Sequence, residues 1–264
     1  MKFAIQDGLI VSGSEIEFFT RARDWGFDAV EVMGEGLVDR LDRVRAAAAL
    51  LPVCAICPGL NGIRGSLLDS DSDVRARAHS DILSLLQCAA ELGGAGLNIV
   101  PEFAAVKFMK LFPDYDNFEK RKDEYIERLD PIAGEAERLG VHILLEPLNR
   151  YEADFLLTVE QAASICRAVR GGAVGVLADM FHINIEEPDP AGAFRKNSDC
   201  IFHVHAADSN RLLPGLGHTD FKPVFNVLRQ AGYKGYVSME CAVTDDPDEQ
   251  IPASLRFLKS FLSG

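Results

Sequence analysis

The chain has 264 residues, 48% of them hydrophobic, enough to bury one large core and within the range of a single α/β barrel domain. Its 40 acidic residues stand against 27 basic ones, and the net charge of −13 repels a phosphate backbone and argues against nucleic-acid binding. Six cysteines are too few for a disulfide scaffold, the Met-Lys-Phe-Ala-Ile-Gln-Asp-Gly start lacks a signal-peptide core, and no run reaches the ~18 apolar residues of a membrane span. These bounds predict a soluble, cytoplasmic, single-domain protein over residues 1–264.

Strand-like and helix-like segments alternate from the start. Lys2 to Gln6 reads as a short strand, and Ser14 with Glu17 three residues on predicts a capping box for a helix through Trp25. Gly26 closes that helix, Phe27 to Met33 forms the second strand, and a helix from Leu37 to Leu51 ends at Pro52. Val53 to Cys57 is the third strand. Its Cys54 and Cys57 form a C-x-x-C, but strand alternation sends side chains three apart to opposite faces, so the pair reads as structural. Asp69-Ser-Asp-Ser-Asp73 imitates a calcium loop, yet Val74 and Ser80 stand where that loop needs Gly and Glu. It reads instead as the first turn of a helix from Val74 to Leu92.

Ala95 to Val100 is the fourth strand. The insertion from Pro101 to Asn117 carries Phe103, Phe108, Phe112 and Tyr115, with Phe118 just after, and suits a substrate lid, packing on the barrel top, or the interface of a homodimer or homotetramer. A charged helix from Glu119 to Leu139 leads to the fifth strand, ending at Glu146. A helix from Thr158 to Val169 precedes the sixth, ending at Asp179. A polar loop and a short helix near Pro190 to Lys196 precede the seventh, ending at His205. A Gly/Pro-rich loop, a helix from Phe221 to Ala231, an eighth strand from Gly235 to Glu240 and a helix from Glu249 to Leu262 complete the chain. Eight such units predict a closed (β/α)₈ TIM barrel. The open doubly wound sheet is the rival, but neither of its phosphate-binding glycine motifs occurs.

Four apolar runs end at Glu146, Asp179, His205 and Glu240, at intervals of 33, 26 and 35 residues. As neighbouring parallel strands they bring these side chains to one mouth, where Leu144, Leu177, His203 and Ser238 lie one layer below on the same faces. Three carboxylates and an imidazole above an apolar layer need a counter-charge, and a divalent cation supplies it. An oxygen-rich set with one imidazole suits Mn²⁺, with Co²⁺, Mg²⁺ and Zn²⁺ as alternatives. His203 reads as a buried, hydrogen-bonded histidine. With Ala29 and Glu31 pointing inward, Glu31 faces the mouth and could contact substrate; His218 could close over it or be solvated, and His79 and His142 read as structural.

Glu146-Pro-Leu-Asn-Arg150-Tyr-Glu152, Asp179-Met-Phe-His182 and His205-Ala-Ala-Asp-Ser-Asn-Arg211, with the Pro-Gly-Leu-Gly that follows, resemble the sugar isomerase/epimerase family with the xylose-isomerase-like barrel. The nearest pattern is that of the ketose 3-epimerases of the D-tagatose and D-psicose type. The resemblance spans nearly the whole chain, with its specific motifs from Glu146 onward. It implies that Glu146, Asp179, His205 and Glu240 bind the metal, and that Glu146 and Glu240 are also the catalytic acid/base pair on opposite faces of the substrate carbon. It further implies that Glu152, His182 and Arg211 hold the carbonyl end of a small sugar or polyol ketone. Such chemistry needs positive charge near the ketone oxygen, which stabilises an enediolate, and two carboxylates that exchange a proton on opposite faces. Hydroxypyruvate isomerase and inosose-processing members share these motifs. An apurinic endonuclease of the same barrel needs histidines from the third and fourth strands, which here end in Cys57-Pro-Gly and Val100-Pro-Glu. A barrel that binds sugar without turnover is the non-enzymatic alternative.

Overall fold

The computed structural model describes residues 1–102, 112 and 115–262. Eight parallel strands close into a barrel in sequence order: β1 (Lys2–Gln6), β2 (Ala29–Met33), β3 (Val53–Cys57), β4 (Gly96–Ile99), β5 (Ile143–Leu145), β6 (Val174–Asp179), β7 (Ile201–Ala206) and β8 (Tyr236–Met239). The outer ring comprises α1 (Glu15–Trp25), α2 (Leu37–Ala47), α3 (Ser72–Glu91), α4 (Tyr115–Leu139), α5 (Val159–Ala168), α6 (Met180–Glu186), α7 (Pro190–Lys196), α8 (Phe221–Gln230) and α9 (Pro247–Ser260). Among the described residues, no helix is long and apolar enough to cross a membrane.

Local chemistry explains the boundaries. Ser14 accepts the Glu17 N–H at the start of α1, and Gly26, at φ 94°, closes that helix in the left-handed conformation that L side chains avoid. Asp71 caps α3, so the Asp/Ser run is a helix start as its composition predicts. Thr158 and Gln161 form a reciprocal capping box on α5. Helix α2 stops at Ala47, four residues short of the expected end, and the chain goes on in turns in which Ala49 and Leu50 donate to the Ala46 and Ala47 carbonyls.

Besides a small group of Leu148, Ala153 and Leu157, two apolar regions result among the described residues. The larger lies between the barrel and its helices, with Phe3, Phe19, Phe194 and Phe225 among its fully buried side chains. The smaller fills the barrel interior with Ala55, Leu144 and Leu177, against which Cys54 and Phe202 pack. Phe202 is there because the β6/β7 register shifts between Val176 and Leu177. A similar shift between Val30 and Glu31 brings Cys54 onto the interior, while Cys57 lines the mouth. The expectation that these two cysteines face apart therefore fails, because a bulge interrupts the alternation. Both are free thiols.

Of the insertion's aromatics, Phe103 and Phe108 lie outside the described residues. Phe112 is exposed, and Phe118 is buried with its ring 5.4 Å from Phe155.

Candidate active site

Glu146, Asp179, His205 and Glu240 converge at the C-terminal mouth, each offering a ligand atom within 4.8 Å of the others. A cation with oxygen ligands at roughly 2.0–2.6 Å separates opposite donors by roughly 4–5 Å, so the spacing fits one ion. Glu146 and Glu240 lie just past the ends of β5 and β8, whereas His205 lies within β7 and Asp179 ends β6. The His205 Nδ1 is 3.0 Å from Glu240 Oε2, 3.5 Å from Glu146 Oε1 and 3.8 Å from Asp179 Oδ2.

Two buried atoms of the cluster, Glu146 Oε1 and His205 Nδ1, have no hydrogen-bond partner. Orphaned acceptors in low dielectric are costly, and a divalent cation satisfies both at once. The residues present fit such an ion.

Three residues of the first half of the barrel hold the donors in place. Asn98 donates to Glu146 Oε2 at 2.6 Å, and Gln6 donates to Glu240 Oε1 at 3.2 Å. Glu31 accepts from His203 Nε2 at 3.0 Å and from His205 Nε2 at 2.9 and 3.1 Å. Since Nε2 of His205 donates to Glu31, its Nδ1 is the nitrogen left for a metal. Burial pushes the Glu31 carboxyl up, but the two histidines outweigh it and hold it well below the usual carboxylate range. Glu31 is fully buried, which corrects the reading that it could contact substrate: it lies a layer below the mouth, facing imidazoles. His203 is buried and hydrogen-bonded, as its position in the sequence suggests.

Asp179 does two jobs. Its Oδ1 accepts the Phe181 N–H at 2.7 Å and caps α6, a helix that stands where a polar loop was expected. Its Oδ2 meets Arg211 Nη1 at 2.5 Å. Burial raises the Asp179 carboxyl, but Arg211 and the two nearby histidines overcome this and keep it anionic. The α6 cap in turn positions His182, whose Nε2 lies 3.7 Å from Asp179 Oδ2. The backbone N–H of Asn149 can only donate, and it points at His182 Nδ1 from 3.2 Å. The imidazole is therefore the Nε2–H tautomer, with its proton facing the cluster. Asn149 also donates to Glu152 Oε1 at 2.8 Å, and Arg150 grips buried Glu186 of α6 through Nε and Nη2, at 2.8 and 3.0 Å.

Arg211 bridges Asp179 Oδ2 and Glu240 Oε2, 2.5 Å from each, with Phe181 stacked 4.9 Å away. Among the described residues it is the one non-glycine with positive φ, at 62°. Asp208, three residues earlier and with no role evident from the sequence, explains how that conformation holds. Its buried carboxylate accepts the N–H groups of Ser209, Gly215 and Thr219 at 2.8, 2.9 and 2.9 Å. A Cβ on Gly217 would sit 2.3 Å from Asp208 Oδ1, so the loop closes only around a glycine. Asp208→Asn sets an amide donor against one of these N–H groups, and is expected to cost about 1–3 kcal/mol in urea denaturation. Unchanged stability would remove this role.

Glu146, Glu152, His182, Arg211 and Glu240 all line one cavity of about 670 Å³ above the cluster. The expected substrate contacts are thus brought together with the expected metal ligands. His218 is exposed, with Nδ1 3.0 Å from Ser209 Oγ, and among the described residues it is not part of the cavity wall. His142 is exposed and packs edge-on to Phe202, His79 of α3 is half-buried, and neither belongs to the cluster or to the described cavity wall.

The xylose isomerase-like TIM barrel family matches residues 19–261. The chain belongs to that family. The 3-dehydro-D-guloside 4-epimerase of Escherichia coli K12 is 31% identical over 98% of this chain and 100% of its own length. A probable ketose 3-epimerase of Synechocystis is 27% identical over 89% of this chain and 81% of its own. Among solved structures, a 3-keto-D-glucoside 4-epimerase from E. coli superposes with a TM-score of 0.88 at 30% identity, covering 98% of this family member and 99% of the other chain.

Proposed function

We propose that this family member is a divalent-metal-dependent sugar epimerase that inverts a carbon beside a ketone, of which ketose 3-epimerisation is the simplest case. It is an enzyme acting on carbohydrates, as its relatives are. The observation that carries the reading is the placement of Glu146 and Glu240. They stand three strands apart around the barrel with Asp179 and His205 between them, and both line the substrate-sized cavity. In a ketose, C3 adjoins the C2 ketone; in a 3-keto glycoside, C4 adjoins the C3 ketone. The same proton chemistry serves either substrate.

Glu146, Asp179, His205 and Glu240 would hold the ion, and three carboxylates with one imidazole favour Mn²⁺ over Co²⁺, Mg²⁺ or Zn²⁺. When bound, the ion supplies positive charge at the ketone oxygen and acidifies the neighbouring C–H. Arg211 adds a fixed positive charge on the same side, and the Nε2–H of His182 offers a donor to the carbonyl end. Glu152, held by Asn149, accepts from a neighbouring hydroxyl. One of Glu146 and Glu240 removes the proton from its face, and the other delivers a proton to the opposite face, inverting the centre. Burial raises the Glu240 carboxyl, but His205 and Arg211 prevail and keep it ionised, as a base must be.

The endonuclease alternative has no support at the site, since the third and fourth strands contribute no histidine to it among the described residues. Cytoplasmic location, one barrel domain and a homodimer or homotetramer complete the reading, and light scattering on the purified protein tests the assembly. The central test incubates the Mn²⁺-loaded enzyme with ketohexoses, ketopentoses, 3-keto glycosides, hydroxypyruvate and inososes in deuterated water. Deuterium is expected at the carbon beside a sugar ketone, together with the epimer. EDTA should abolish it and Mn²⁺ restore it. Turnover that survives complete metal removal would sink the mechanism.

A further inference from the structure

We infer that the substrate is a glycoside, a keto sugar ring carrying a neutral substituent on its anomeric oxygen, and that the β3–α3 connection forms the subsite for that substituent. This rests on the epimerase reading above. The cavity volume of about 670 Å³ is the first reason. A free ketohexose occupies on the order of 200 Å³, whereas small-molecule sites enclose most of their ligand's surface. A single ring at the cluster leaves most of the cavity empty.

The second reason is what lines the remainder. Beyond the cluster, the cavity extends along Pro58 to Asp69, where Leu60, Ile63 and Met33 give it an apolar wall. Leu60 is 71% exposed, a large apolar side chain standing open at the cavity edge. The connection is held in shape: Asn61 donates to Glu35 at 3.1 Å, and Ser66 Oγ donates to the Pro101 carbonyl at 2.7 Å. An apolar wall with a few fixed polar groups suits an aglycone or a second ring.

Charge defines the class further. Glu35, Asp69 and Glu102 line the outer cavity, and Arg211 is the one cation among the described lining residues. Arg211 is already engaged by Asp179 and Glu240, and Arg64 of the same connection is clasped by Asp81 at 2.7 and 3.0 Å. Among the described lining residues, a phosphorylated substituent would meet carboxylates with no free guanidinium to answer it. The substituent is neutral.

The test measures kcat/KM of the Mn²⁺-loaded enzyme for D-psicose, methyl 3-keto-D-glucoside, phenyl 3-keto-D-glucoside and fructose 6-phosphate, following solvent deuterium incorporation. The phenyl glycoside should exceed D-psicose by roughly ten-fold or more, with fructose 6-phosphate the poorest of the set. Ile63→Trp, which fills the outer cavity, should lower the phenyl-to-psicose ratio. Leu60→Ser, at an exposed position with little bearing on folding, should lower it too. D-psicose turned over as well as the phenyl glycoside, or a ratio unchanged in both variants, overturns the subsite. Absence of exchange in all four compounds removes the epimerase reading and the inference together.

Discussion

Glu240→Gln is expected to lower kcat by roughly 10²–10⁴-fold, and Glu146→Gln likewise, because each replaces a proton-transferring carboxylate by an amide that cannot take a proton. The amides are close in volume, and the amide oxygen introduced by Glu240→Gln could still accept from Gln6, so circular dichroism should show an intact barrel. The two variants should also differ in a way a merely structural defect would not produce. With one base removed, the other still faces one side of the substrate carbon. Each variant should therefore exchange deuterium into one epimer only, and the two should select opposite epimers. Both residues are also proposed metal ligands, so metal content is measured alongside to separate lost chemistry from lost ion. Full epimerisation by either variant would refute the two-base mechanism.

Glu31→Gln should weaken metal binding by roughly 10–100-fold although Glu31 is not among the four proposed ligands. Its carboxylate receives N–H groups from both His203 and His205. A glutamine at this position has one carbonyl oxygen for two donors, and its amide nitrogen turns an N–H towards an imidazole N–H. The His205 ring then loses the partner that fixes Nδ1 towards the cluster. Titration calorimetry with Mn²⁺ on the folded variant reads the effect directly. An unchanged dissociation constant would mean that the ring is held by packing alone.

The barrel and the convergence of four of its strand ends were legible because each of those strands is an apolar run that terminates in a polar side chain that needs a partner. Glu146, Asp179, His205 and Glu240 announce themselves by that contrast and by intervals that each fit one strand plus its connection to the next. Gln6 and Asn98 do not, since a single amide in a short strand has no periodicity to betray which carboxylate it will meet across the barrel. Glu31 was legible in facing but not in height: parity says inward, whereas closure of the barrel, with Gln6 opposite Glu31 and Leu177 opposite His203, sets the layer. Helix α6 was hidden for a related reason. Its start is Asp179, and the same carboxylate reads equally well as a ligand or as a helix cap; in the fold it faces the cluster with one oxygen and caps with the other. Cys54 was misplaced because a bulge cannot be read from alternation.

The closed order of strands also divides labour. The donors Glu146, Asp179, His205 and Glu240 follow from β5 to β8, whereas their supports Gln6, Glu31 and Asn98 belong to β1, β2 and β4. One half of the molecule determines which atoms would meet the proposed ion; the other determines how firmly they are presented. Affinity can therefore drift through changes in the first half while the ligand set stays constant. A fragment carrying only the second half would contain every donor and lack the partners that orient them.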